Sequence, residues 1–206
     1  MYLTKAIIPK VELVERQANG LYGWHKLVWS FFRPPGATVA DLRDFLFRAD
    51  YCPDGVCFLV SSQRQPTKPE WLDSQNWNAK SIAPDFQARR IYRFSVRANP
   101  TKDVDQKRQP LRNRADRLEW LKQIGQRSGF EVENDFVRIG NGIPTPLEKT
   151  DGTKFTISLV DFDGFLRITD VEKFRLVYAK GFGDSRSFGC GMLLVMPANR
   201  TSLNQS

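Results

Sequence analysis

The chain holds a single histidine, His25, and the residue types around it suit the movement of a proton at a phosphate. Placed on an ideal helix at roughly 100° per residue, residues 21–33 divide into an apolar arc and a polar flank. Leu21, Trp24, Leu27, Val28, Phe31 and Phe32 make the arc. Tyr22, His25, Lys26, Trp29 and Arg33 fall on the flank. The one imidazole therefore stands beside a cation, with a phenol one turn back. That group suits metal-free phosphodiester cleavage of RNA. Histidine moves a proton near neutral pH. A tyrosine hydroxyl can orient the base or the nucleophile, and a lysine can neutralise charge growing on the scissile phosphate. A packed or solvated helix histidine has the same pattern, so the helix alone leaves both readings open.

A second concentration of informative residues is Gly181-Phe182-Gly183-Asp184-Ser185-Arg186-Ser187-Phe188-Gly189-Cys190-Gly191, which holds four of the 14 glycines. Without a Cβ, backbone N–H groups can crowd together and approach an anion or another backbone closely. The stretch has no Gly-Lys-Ser/Thr ending, and it precedes an apolar strand rather than opening a helix. That sets aside an ATP-type P-loop and a dinucleotide fingerprint. It equally suits a tight turn that packs a helix on a strand.

Cations gather elsewhere. Arg93 and Arg97 lead into a loop holding Lys102, Lys107, Arg108, Arg112 and Arg114, the kind of set that contacts phosphates. Asp103 and Asp105 interrupt it, as they would in a solvated charged loop. Arg138, Lys149 and Lys154 can add to the same surface. The net charge of +8 points to a polyanionic partner, with nucleic acid first and an anionic membrane second. Three unpaired-looking cysteines, Cys52, Cys57 and Cys190, argue against a disulfide framework or a zinc ribbon. One histidine with scattered cysteines makes a transition-metal site an unfavoured reading. No apolar run approaches a membrane span. The N-terminus reads as a strand rather than a signal peptide, so a cytoplasmic protein is expected.

Positioning these residues takes two sets of elements. In the second half, Tyr92, Phe94, Val96 and Ala98 alternate with Arg93, Ser95 and Arg97 as a strand that ends at Asn99-Pro100. The basic loop 101–114 follows, then a helix over 115–126 with Gly129 beyond it. Residues 130–139 read as a strand and 141–150 as a connection. Residues 154–161 and 165–168 read as extended, with Asp163-Gly164 as a turn between them. Asp170 can cap a helix over 171–179. The glycine stretch and a strand over 192–196 close the set. This β-α-β-β-α-β order is ferredoxin-like. The first half gives the same order: strand 2–8, helix 21–32, a hairpin from 44–50 and 56–62, a reduced helix at 69–74 and a strand at 76–82. The expected organisation is α+β with two tandem ferredoxin-like domains, 1–86 carrying the histidine helix and 87–198 carrying the basic and glycine-rich loops. A polar tail, 199–206, follows.

These pieces occur together in one family. Over nearly its whole length the chain resembles CasE, the CRISPR RNA-processing endoribonucleases of type I-E Cascade. The resemblance rests on the Met1-Tyr2-Leu3-Thr4-Lys5 start, Tyr22-x-x-His25, and Arg97-Ala98-Asn99-Pro100 with Lys102 two residues on. It rests also on Glu119-Trp120-Leu121 and on Gly181-x-Gly183-x-x-Arg186-x-x-Gly189-x-Gly191. The glycine loop marks the broader repeat-processing superfamily, and the other motifs narrow it to CasE. The resemblance implies metal-independent cleavage of CRISPR precursor RNA at the 3′ base of the repeat stem-loop. Attack by a 2′-hydroxyl would leave a 2′,3′-cyclic phosphate or its hydrolysed form. His25 would be the general acid/base, Tyr22 its assistant, and Lys26 a neighbouring cation. A basic hairpin that grips the RNA stem would fall near 147–155, with Lys149 and Lys154. Arg186 would occupy the loop's basic position and offset Asp184. The implied partners are the repeat RNA and other Cascade subunits. No cofactor, metal or membrane is expected, and outside Cascade the chain is expected to be a monomer. The competing readings are an RNA-binding module of the same fold that does not cut, and a regulator that displays the fold to protein alone.

Overall fold

A computed structural model describes residues 1–32, 44–148 and 152–198. Arg33, Lys149 and the 199–206 tail lie outside the described residues. The chain divides into two compact units, Met1–Pro84 with Arg186–Gly189, and Asp85–Ser185 with Cys190–Ser206. No helix among the described residues is long and apolar enough to cross a membrane.

The first unit is built on β1 (Tyr2–Pro9), β2 (Phe45–Cys52), β3 (Gly55–Ser62) and β4 (Trp77–Ser81), in the sheet order β2-β3-β1-β4 with every neighbour antiparallel. Thr4, Ala6 and Ile8 of β1 are buried while Lys5 is exposed, the alternation expected of a sheet with one covered face. The covering element is α2 (Gly20–Trp29), preceded by a short helix α1 (Lys10–Glu15). All six residues of the expected apolar arc are buried, Phe31 and Phe32 in the turn just after the helix. Burying side chains of this size contributes about 1.5–3 kcal/mol each. Trp24 meets Phe58 edge-on at 6.0 Å, and Phe32 stacks on Phe45 at 5.0 Å. The second helix of the pattern is reduced to one 3₁₀ turn, Ser74–Asn76, displaced a few residues from the expected 69–74.

The second unit repeats the plan. Its strands are β5 (Ile91–Ala98), β8 (Phe130–Val132) with β9 (Arg138–Ile139), β11 (Lys154–Ile168) and β12 (Leu194–Pro197), and its helices are α3 (Arg114–Ser128) and α4 (Val171–Lys180). β11 pairs with β8 and β9 on one side and β5 on the other, and β5 pairs with β12, so the order again is second-third-first-fourth. Asn113 and Asp170 accept backbone N–H bonds that cap α3 and α4, and Gly129 ends α3 in the left-handed conformation at φ 76°.

Three local expectations are corrected. The basic loop contains a β-hairpin, β6 (Thr101–Val104) and β7 (Lys107–Pro110). The connection after β9 holds a strand, β10 (Ile143–Glu148), which pairs along the first half of β11. Asp163-Gly164 makes no turn, because β11 runs unbroken through it. Gly164 is needed there for close approach: a Cβ would stand 2.7 Å from the Phe136 carbonyl oxygen.

Candidate active site

Tyr22, His25 and Lys26 lie on α2, one helical turn apart on the same flank. Lys26 is exposed, while Tyr22 and His25 are half-buried. The imidazole sits in an aromatic setting, with ring centres at 6.2 Å from Trp29, 6.0 Å from Phe45 and 6.2 Å from Phe47. Trp29 donates its indole N–H to His25 Nε2 at 3.0 Å. Phe45 and Phe47 reach the ring because both project from the helix-covered face of β2.

Part of the glycine-rich stretch belongs to this unit. Arg186–Phe188 form a 3₁₀ turn, and Phe188 places its ring 5.7 Å from that of Tyr22. A Cβ on Gly189 would come 3.3 Å from the Phe47 ring, so the backbone lies directly over β2. Arg186 is exposed on this turn. The first unit thus combines an imidazole, a phenol and the cations Lys26 and Arg186 on α2 and on the turn packed against it. These are the parts needed to shuttle a proton and stabilise a negatively charged transition state.

The remainder of the stretch is organised within the second unit, where the other motifs converge on it. Gly191 N donates to the Arg97 carbonyl oxygen at 2.7 Å, and Phe182 N to Gly191 O at 3.2 Å. Asn99 donates its side-chain amide to Ser185 Oγ at 3.0 Å and accepts from Ser158 N at 2.9 Å. Trp120 packs against Phe162 at 5.9 Å and Phe182 at 6.1 Å. In the sequence, Asn99 and Trp120 stand inside motifs with no evident task of their own. Both fix the base of the loop. Gly181, Gly183, Gly189 and Gly191 all adopt positive φ, between 68° and 78°. Chain direction, more than crowded N–H groups, is what these glycines supply.

The cations of the second unit differ in availability. Lys102, Lys107 and Arg108 are exposed on the β6–β7 hairpin, and Arg112 and Arg93 are exposed as well. Arg108 pairs with Asp184, so that carboxylate neutralises a basic residue of the hairpin. Arg97 is tied bidentately to Asp161 at 2.8 and 2.9 Å, which makes it structural as well as basic. Arg114 donates to the Val137 carbonyl at 3.0 Å. Lys154 lies 3.8 Å from Glu148, its partner across the β10–β11 register. Buried Arg117, which the charge pattern did not single out, donates to the carbonyls of Leu111 at 2.9 Å and Gly140 at 2.7 Å.

The chain is 28% identical to the CRISPR system Cascade subunit CasE of Escherichia coli K12, across 96% of this chain and 100% of the relative. It is 30% identical to the CRISPR-associated endoribonuclease Cse3 of Thermus thermophilus, over 64% of this chain and 70% of the relative. The structure of Thermus thermophilus Cse3 bound to an RNA representing a pre-cleavage complex superposes with a TM-score of 0.75 at 25% identity, covering 95% of this chain and 98% of that one. The sequence model of the CRISPR associated protein family matches residues 1–197. With a family model that spans residues 1–197, the chain belongs to the CRISPR-associated protein family that includes CasE and Cse3.

Proposed function

We propose that this chain is a metal-independent endoribonuclease that cuts CRISPR precursor RNA at the 3′ base of the repeat stem-loop and retains the product as a Cascade subunit in the cytoplasm. The observation that carries this reading is the placement of the only histidine beside Tyr22 and Lys26, on the helix against which the Arg186–Phe188 turn packs. The relatives support it: Cse3 is named a CRISPR-associated endoribonuclease and CasE a Cascade subunit.

RNA carries its own nucleophile. The 2′-oxygen attacks the adjacent phosphorus, the bond from phosphorus to the 5′-oxygen breaks, and a 2′,3′-cyclic phosphate and a 5′-hydroxyl result. One proton leaves the 2′-hydroxyl and one must reach the departing 5′-oxygen. His25 serves this transfer, Tyr22 orients it, and Lys26 with Arg186 offsets charge on the phosphate. The exposed cations Arg93, Lys102, Lys107, Arg108 and Arg112 hold backbone phosphates, with Arg97, Arg114, Lys149 and Lys154 as further members of the binding set.

The test is a stem-loop RNA transcribed from the CRISPR repeat of the same genome, incubated with the protein in EDTA. Cleavage is expected, and a 2′-deoxy nucleotide at the cut should abolish it without weakening binding. Binding with no cleavage of the all-ribose RNA would instead favour a non-cutting RNA-binding module.

A further inference from the structure

We propose that Trp29 is a positioning residue for His25: its indole N–H fixes the imidazole as the neutral tautomer protonated on Nδ1 and resists its protonation. The inference builds on the reading of His25 as the acid/base, but its chemistry stands on the contact itself. An indole nitrogen only donates, so the nitrogen 3.0 Å from it must be the unprotonated one. That nitrogen is Nε2, which leaves the neutral ring's proton on Nδ1. Nδ1 is itself buried. Protonating Nε2 would set two donors against each other, so the hydrogen bond favours the neutral ring and lowers its pKa.

Trp29 is held for this task. Its ring meets Phe45 edge-on at 5.0 Å, and the i, i+4 spacing on α2 brings it over the imidazole. Among the described residues, the elements packed around the ring carry these charged and titratable groups. α2 contributes Tyr22 and Lys26, and the turn packed on it contributes Arg186. β2 meets the ring through Phe45 and Phe47. Arg48 and Asp50 alternate onto the opposite sheet face and pair at 2.8 Å, and Asp44 is bound by Arg64 at 2.7 and 3.0 Å. In this arrangement Nε2 becomes available to RNA only when the Trp29 bond is exchanged for one to the substrate. Trp29 thereby sets both the resting protonation state and the rotation His25 must make.

Because the chain has one histidine, ¹⁵N-histidine labelling gives a single pair of ring resonances. Long-range ¹H–¹⁵N spectra of the RNA-free protein should show the protonated type on Nδ1 and the unprotonated type on Nε2. Trp29→Phe keeps a ring against Phe45 and removes the donor. It should raise the His25 pKa by about 0.5–1 unit, the size of one neutral hydrogen bond. The histidine-dependent limb of single-turnover cleavage of the repeat RNA should move to higher pH by the same amount. An Nε2–H tautomer in the unsubstituted protein, or an unmoved pKa in a folded Trp29→Phe, overturns the proposal. If Trp29→Phe fails to fold, the tautomer of the unsubstituted protein decides. The two readings separate cleanly. Normal cleavage by His25→Ala with the stated tautomer and shift removes the catalytic reading and keeps Trp29's effect. Loss of cleavage in His25→Ala with an unmoved pKa in Trp29→Phe keeps the catalytic reading and makes Trp29 a packing residue.

Discussion

Phe188 rests its ring 5.7 Å from that of Tyr22, so a residue of the glycine-rich stretch fixes the phenol one turn before the only histidine. An aromatic pair of this kind is worth about 0.5–1.5 kcal/mol beyond its buried area. Phe188→Ala should therefore slow single-turnover cleavage by about 2- to 10-fold while leaving RNA affinity within a factor of about two. Equal losses in rate and affinity would mean that the turn binds RNA rather than placing Tyr22.

The glycines of the stretch differ in what they protect. A Cβ on Gly191 would stand 2.1 Å from the Phe182 carbonyl oxygen, whereas a Cβ on Gly183 meets nothing within 4 Å. Gly183→Ala bears only the cost of left-handed backbone, about 1–2 kcal/mol. Gly191→Ala adds a backbone collision and breaks the contact with Arg97. Thermal melts should show Gly191→Ala clearly less stable than Gly183→Ala, at about 2–4 °C per kcal/mol for a chain of this size.

The Arg108–Asp184 pair is exposed, so removing it should cost little stability. Its main effect is to occupy a cation of the β6–β7 hairpin. Asp184→Asn should strengthen repeat-RNA binding and steepen the dependence of log affinity on log salt by about 0.7–0.9, one phosphate contact. A salt slope unchanged from the parent would place the hairpin away from the RNA backbone.

Burial pushes the Cys190 thiol up to about 12 from an ordinary 9.0, with Arg97 lowering and Asp161 raising it to lesser extents. The folded state thus favours the protonated thiol. Its contribution to stability is complete below about pH 9 and is lost as pH climbs from about 9 to about 12. Urea titrations across that window should show stability falling for the parent and falling less for Cys190→Ala. At pH 8, native Cys190 should resist an alkylating reagent that modifies it once the chain is unfolded.

Both units were legible in sequence wherever burial followed a simple period. The alternation of Tyr92, Phe94, Val96 and Ala98 and the arc of Leu21 to Phe32 carried the two sheets and the histidine helix. What escaped has physical causes. The β6–β7 turn uses Asp105 and Gln106 at φ 49° and 61°, a left-handed pair made without the Asn-Gly or Asp-Gly signal of such turns. β10 holds Pro144 and Pro146, which read as a connection but are tolerated on an edge strand. α1 buries none of its residues, so no apolar stripe marked it. In the candidate site, the shared helix flank of Tyr22, His25 and Lys26 was legible from residue type and spacing. The hydrogen bond from Trp29 to His25 was not, because an indole on a helix flank shows its partner only once χ angles are known. The division of the glycine stretch between the two units was equally invisible, since its contacts with Tyr22 and Phe47 span more than a hundred residues.

The role of His25 can be read from the rate at which His25→Ala cleaves the repeat stem-loop RNA in EDTA under single-turnover conditions. A lost general acid/base should slow cleavage by about 10²–10⁴-fold, with RNA affinity close to that of the unsubstituted protein. Cleavage at the unsubstituted rate would mean that His25 is no acid/base and would move the chemistry away from α2.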